Sequence, residues 1–576
     1  MASQTHDIVI VGGSLGGVAA ALRAGAAGCS VCLLEPTDWL GGQFSAQGVT
    51  RPDENRFIEA VGSTASYRDF RHEVRAFYRN NYNLSESGAA QPTLDPGGSF
   101  PGFSCEPRVA HNVLLQKLQA LPTVHVRLNA RVSGASVQNN AVQSLTVTGP
   151  DGTQTDYAAK YPLDATDLGE LLTITGIEHT LGAEARSQTN EPLAPPQARP
   201  DWIQPITMVV ALERRPAGEN HLIAQPAGYD QLKEEQNYSI KDGYISTVFA
   251  SGKDLWSYRR YIDASNFDDP SFPNDLSMLN MGSNDYQAAT IPTGSPQQDA
   301  AVIARARLAS LGYVYWLQTE CPRDDGSGLG YPELMVRTDQ FGTADGTSAQ
   351  PYIRESRRIV AQYTVVQQDL DQAFNAGPRA KNYYDSCGIG LYGGLDIHGL
   401  AGVGMLQNFI SIKPFEIPLR SLIPIRVTNV LPACKNIGTT HITNGAYRLH
   451  PVEWNVGEAS GALAAFAIAN NVSPAQVPND ASLLRKYQRG LLSTGVHLFW
   501  WTDVLFGDAA FESTQLCGVA GIMSGEGNDL NFRPQDDFGI SSQAAVEANL
   551  GRKLNWPQQP ITRAQAATWI VGQLGW

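Results

Sequence analysis

The sequence predicts an α/β fold: a parallel sheet that opens at the N-terminus, an insertion of short strands and turns, and a helical C-terminal region. Three observations predict it. Residues 7–11 form an apolar run rich in β-branched side chains, followed at once by Gly12-Gly13-Ser14-Leu15-Gly16-Gly17 and a helical stretch over 18–27. From about residue 168 to 335 the pattern changes to short strands and turns, with a Pro-rich passage from Glu191 to Pro205. Near the end, Thr562 stands as a cap ahead of a helical run.

At 576 residues the chain exceeds one compact core, and its length predicts roughly two to four domains. With 42% hydrophobic and 17% charged residues it can bury a large interior and lacks the signature of disorder. A net charge of -14 and the lack of any Lys/Arg run argue against a nucleic-acid partner. The seven cysteines are scattered. Cys29 and Cys32 have metal-site spacing but no second pair, and they enter an apolar strand, so buried thiols are expected and no metal. The N-terminus lacks a basic segment and cleavage site, and no uncharged apolar run approaches the ~18 to 20 residues that cross a bilayer. A cytoplasmic location without membrane association is the expectation.

The first strand, glycine turn and helix lead to a second strand over 30–34, which ends at Glu35 and Pro36. Small residues in such a turn let backbone approach a pyrophosphate, the helix N-terminus offers free N–H groups, and Glu35 can accept from ribose hydroxyls. This is a Rossmann-type dinucleotide site. Gly12, Ser14 and Gly17 take the positions of the usual G-x-G-x-x-G, with serine in the middle and Leu15 and Gly16 between. The next loop holds a second glycine pair, Gly41-Gly42-Gln43, which an extended FAD needs and NAD does not. Residues 124–132 (read as one strand), 162–167 and 436–441 each return the chain to this domain.

The order of these motifs resembles the FAD-dependent oxidoreductases of the glutathione-reductase superfamily. It is closer to a bacterial FAD-dependent oxidoreductase family with segments such as Gly42-Gln43-x-x-x-Gln47-Gly48-Val49, Cys105-Glu106-Pro107-Arg108, residues 352–358 and His450-Pro451-Val452-Glu453-Trp454-Asn455. The resemblance covers about residues 7–470. It implies that Ala165 and Thr166 close over the nucleotide, with Asp167 replacing a glycine, and that Val132 meets the adenine through its backbone. Glu453, Trp454 and Asn455 would open a helix aimed at the flavin's pyrimidine edge, where a helix dipole stabilises the reduced cofactor's negative charge. The implied organisation is a Rossmann-type FAD-binding domain over 1–167 and 336–477, a mixed α+β substrate domain with an antiparallel sheet over 168–335 and a helical accessory region over 478–576.

His441, Arg448 and His450 bracket that helix and are the catalytic candidates, with Tyr447 a rival acid or base; a histidine there can take a proton while hydride leaves to flavin N5. Arg354 and Arg357 flank Glu355 and read first as internal ion pairs, and Arg337 and His398 stand alone, as structural residues do. Covalent flavin attachment through Cys434 or a histidine stays open. Gly326-Ser327-Gly328-Leu329-Gly330 runs into Tyr331-Pro332, which does not open a helix, so no built-in nicotinamide site is expected. The leading function is oxidation of a small organic substrate by hydride transfer to FAD, reoxidised by oxygen or another acceptor. The alternatives are a flavin monooxygenase using external NAD(P)H and, from another class, a non-redox flavin-binding or wall-associated protein, prompted by a tail that faintly resembles one S-layer-homology helix. Substrate, electron acceptor and oligomeric state carry no sequence code.

Overall fold

Ile8, Val9 and Ile10 are each fully buried, because the strand that holds them, β1 (Ala2–Val11), is covered on both faces. Ile8 and Ile10 join the larger core on the helix side, while Val9 and Val11 join a smaller core on the other. The computed structural model describes residues 2–98, 102–243, 245–250, 254–401, 403–525 and 527–576.

The first helix, α1, spans Leu15–Ala26. It starts at Leu15 and not at Val18, because Ser14 caps it: the Ser14 hydroxyl accepts from Gly17 N. Next come β2 (Val31–Leu34), β3 (Val124–Arg127), β4 (Arg131–Gln138), β5 (Ala141–Thr148) and β6 (Gln154–Asp164). The sheet order is β3-β2-β1-β6-β5-β4, with β1 parallel to β2 and β6. The single strand expected over 124–132 is broken into β3 and β4. Asn129 takes a left-handed φ of 56° and its N–H goes to Thr37 O, so the chain turns there. The short strand Leu431–Pro432 returns beside the end of β6 in parallel.

On the helix side α1 lies against the helix His450–Asn470 at unusually short range. A Cβ added at Gly457 would stand 2.0 Å from Gly16 O, and one at Gly461 2.5 Å from Ala20 O. Only glycine permits this approach, which brings the N-termini of both helices together beneath the first turn.

Within the insertion, Leu334–Val336, Val210–Arg214, Leu276–Leu279 and Arg260–Ile262 form an antiparallel four-stranded sheet in that order. The helix Pro296–Thr319 closes its hydrophobic cluster through Tyr313, Val314 and Leu317, and extends the helical stretch read over 297–317 by a few residues. The C-terminal helices Ala481–Leu492, Phe511–Val519, Ile540–Leu550 and Arg563–Leu574 follow. They are joined to the body: Trp500 is buried and donates its indole N–H to Phe415 O at 2.9 Å. Among the described residues no helix is long and apolar enough to cross a membrane.

Candidate active site and dinucleotide cleft

Gly12 ends β1 at φ 104°, a conformation that L side chains avoid. A Cβ there would also meet Ala165 O at 2.3 Å, so the turn passes flat against the end of β6. Gly13 N donates to Glu35 Oε2 at 2.7 Å, and Glu35 Oε1 takes Thr37 N and the Thr37 hydroxyl. Burial pushes the Glu35 carboxyl up to about 7 against these hydrogen bonds. Glu35, Pro36, Thr37 and Arg131 line a cleft together with Thr166, Asp167, Gln47, Gln350 and Ile353.

Ala165 is fully buried, and Thr166 is tied by its N–H and hydroxyl to Asp164 Oδ1. Asp167, where the family pattern has glycine, faces Lys435 across the cleft floor. Gly41 N donates to Gly13 O at 2.7 Å, which stacks the second glycine loop on the first; Gly41, at φ 104°, makes that bend. Gln43 Nε2 then bridges Arg448 O and Glu453 Oε2, and Glu453 Oε1 accepts from Gly16 N at 3.2 Å. Leu15 is core beneath the turn. Lys435 has no exposed side-chain surface and lies between Asp167 and Glu453. These carboxylates hold its ammonium well above the ordinary lysine range against the cost of burial. Lys435 escaped sequence reasoning. Its one signal was its place between Cys434 and Asn436, in a segment expected to return to the nucleotide.

The side chains of three residues expected at the cofactor point elsewhere, though the contact expected of Val132 is through its backbone. Trp454 points into the core, stacks on Phe70 at 5.7 Å and donates to Ser66 Oγ. Asn455 pins the strand Ser386–Gly390 through Ile389 N and Cys387 O. Val132 pairs with Val147 in the smaller core, and its neighbour Arg131 lines the cleft instead. The cause is helical and strand periodicity, which turns adjacent residues to different faces.

Of the four catalytic candidates, two are bound into the frame. Tyr447 is buried with its hydroxyl donating to Glu416 O at 2.7 Å. His450 spends both ring nitrogens on backbone, Nε2 donating to Val49 O and Nδ1 accepting from Asp53 N, and burial drives its pKa down to about 3. His441 holds Glu355 through Nδ1, while its buried Nε2 has no partner. Arg448 reaches furthest: it donates to Tyr352 OH and to Asp396 Oδ2, both at 2.8 Å.

Asp396 meets His398, which extends to Asp285 and on to Arg354, so two residues read as lone or internal pairs stand in one charged chain with Arg448. The His398 and Asp396 side chains keep 28% and 23% of their surface accessible although they lie deep in the protein. Asp53, paired with Arg259, keeps 17% in the same way.

The cleft residues fit a flavin dinucleotide. Four buried polar atoms without partners fall on the segment 439–448, at Thr439 Oγ1, His441 Nε2, Asn444 Oδ1 and Arg448 Nε, and Gln43 Oε1 adds a fifth. Buried polar atoms are seldom left so, and a polar ligand edge beside this segment satisfies them. The sequence model of the FAD dependent oxidoreductase family matches residues 7–491. The chain belongs to this family. As an FAD dependent oxidoreductase it is a redox flavoenzyme and its cofactor is FAD. No curated protein matches the sequence. Similar solved structures include a geranylgeranyl bacteriochlorophyll reductase-like protein from Thermoplasma acidophilum (10% identity, 96% of this chain and 97% of that one, TM-score 0.34). The myxobacterial chondrochloren halogenase is 11% identical over 99% of this chain and 90% of its own, with a TM-score of 0.34. p-Nitrophenol 4-monooxygenase from Pseudomonas putida is 14% identical over 63% and 70%, with a TM-score of 0.30.

Proposed function

We propose that this FAD dependent oxidoreductase oxidises a small organic substrate by hydride transfer to flavin N5, and that oxygen or another acceptor regenerates the cofactor. The observation that carries this reading is the pair of partly accessible titratable side chains, His398 and Asp396, that Arg448 links through Gln43 and Glu453 to Gly16 of the glycine turn.

Each residue then has a task. The glycine turn and the N-terminal end of α1 receive the pyrophosphate, where the helix dipole favours negative charge, while the Gly16 and Gly17 amides stay with Glu453 and Ser14. Glu35 and Thr37 take the ribose, and Arg131 stands at the adenine end. Lys435 offsets Asp167 and Glu453, which would otherwise repel the phosphates. Gln47, Gln350 and Ile353 border the flavin end, and the four-stranded sheet covers the substrate. Bound FAD supplies the two-electron acceptor. The free, buried cysteines suit a reducing cytoplasm.

The test is to reduce the purified protein anaerobically with light and mix it with aerated buffer in a stopped-flow spectrometer. Absence of a flavin spectrum overturns the reading. Fast reoxidation assigns oxygen as the acceptor and slow reoxidation a separate one. Hydroxylation of an added substrate during reoxidation moves the reading to a monooxygenase.

A further inference from the structure

His398 is held from one side by a carboxylate that has no other way to turn. Asp285 is 1% exposed. Its Oδ1 takes Arg354 Nη2 at 2.8 Å and the Thr207 hydroxyl, and its Oδ2 faces His398 Nδ1 at 2.9 Å. Nε2 faces Asp396 Oδ2 at the longer distance of 3.2 Å, and the His398 side chain keeps 28% of its surface accessible. An ionised carboxylate only accepts, so both contacts favour a protonated ring; when the ring is neutral, the shorter contact to the buried Asp285 keeps the proton on Nδ1, and Nε2 is the nitrogen that gives its proton up. Asp396 has an independent anchor in Arg448, so it can part from Nε2 without losing its charge partner. The backbone is fastened too: His398 N donates to Gln204 Oε1. Two buried donors beside this group, Gln204 Nε2 and Arg448 Nε, have no acceptor.

We propose that Asp285 and His398 form the acid–base dyad of the active site, and that Nε2 of His398 is the catalytic base that takes the hydroxyl proton of a small alcohol. This rests on the oxidoreductase reading above. The alcohol hydroxyl enters between Nε2 and Asp396. Its O–H bond breaks and the proton goes to Nε2. The carbinol C–H bond breaks with its electron pair going to FAD, and the C=O double bond forms. The alcohol loses two electrons, FAD gains them, and the imidazolium returns its proton to solvent from its open edge. Gln204 Nε2 serves a further oxygen of the substrate. An unprotonated amine expels hydride with its own lone pair, whereas an alcohol needs a base; a buried Asp–His pair is the device for the second case.

The groups around His398 set its pH behaviour. Burial and Arg354 pull its pKa down, Asp396 and Asp285 pull it up, and the carboxylates win, so it titrates above its ordinary value. Arg448 compensates Asp396 from behind. The base is therefore competent on the alkaline side, and flavin reduction rises with pH.

Two measurements on the flavin-loaded protein test this. In protein labelled with 15N-histidine, the His398 signals, identified by their loss in His398→Gln, are expected to show the neutral ring protonated on Nδ1, with a midpoint that falls in Asp285→Asn. A neutral ring protonated on Nε2 overturns the dyad. Second, anaerobic reduction by 2-propanol, glycerol, benzyl alcohol and benzylamine is followed in the flavin absorbance across pH. An alcohol is expected to reduce the wild type faster as pH rises. His398→Gln is expected to lose about 100-fold in that rate and the rising limb, with an unchanged flavin spectrum and unchanged reduction by dithionite. Wild-type rates in His398→Gln, or reduction by benzylamine alone, overturn the proposal. A chain that binds no flavin overturns the oxidoreductase reading instead, and the ring protonation still decides the dyad.

Discussion

Glu35 accepts from Gly13 and Thr37 at the mouth of the cleft, and its carboxyl is raised to about 7 from 4.5, chiefly by burial. An acid raised in the folded state keeps its proton longer than the unfolded chain does. Its contribution to stability is thus whole below about pH 4.5 and is lost as pH rises towards 7. Glu35→Gln in the flavin-free protein is expected to flatten the fall of Tm between about pH 5 and about pH 8, while Asp164, also raised to about 7, keeps part of the slope. The same change is expected to weaken FAD binding by about 1 to 2 kcal/mol, read by flavin fluorescence titration, because the ribose loses a charged acceptor. His450 makes the contrasting case. With its pKa near 3 and both nitrogens on backbone, His450→Gln is expected to lower Tm and leave the pH limb of flavin reduction in place. A lost limb would return His450 to the chemistry. His441 and His450 look alike in sequence, since residue type and spacing say nothing of what a ring nitrogen faces.

At the scale of elements, the contact between α1 and the helix His450–Asn470 sets the position of the cofactor end. Gly457→Ala would place a methyl group 2.0 Å from Gly16 O. Backbone cannot yield as a flexible side chain does, so the helices must part. A cost of about 1 to 3 kcal/mol is expected, with a lower Tm and a smaller share of bound flavin in the purified protein. Unchanged Tm and flavin content would mean that the helices sit further apart than these distances imply. The glycines at 457 and 461 stand one helical turn apart, a spacing that makes close packing of their helix legible. The break at Asn129 is not, because the residues on either side read as one strand and the chain turns where Thr37 O and Glu35 O take the amides of Asn129 and Ala130.

For the whole molecule, the C-terminal region is part of the body. Arg379 lies 4.3 Å over the Trp501 ring and donates to Trp500 O, and Trp500 reaches Phe415. Ending the chain at residue 496 would uncover this apolar surface, and the product is expected to be insoluble or free of flavin, as centrifugation and absorbance would reveal. A soluble, yellow product would make the tail a separate unit. The sequence by itself determined the nucleotide end, since strand, turn, helix and Glu35 are contiguous and their chemistry is local: short residues, a helix terminus and a ribose acceptor. Tertiary structure alone decided the rest. Gly16 meets Glu453 across 437 positions of chain, and His398 meets Asp285 across 113. A lone histidine becomes a base only when folding buries a carboxylate at one nitrogen and leaves the other open, and neither burial nor partner is written in the residue's own neighbourhood.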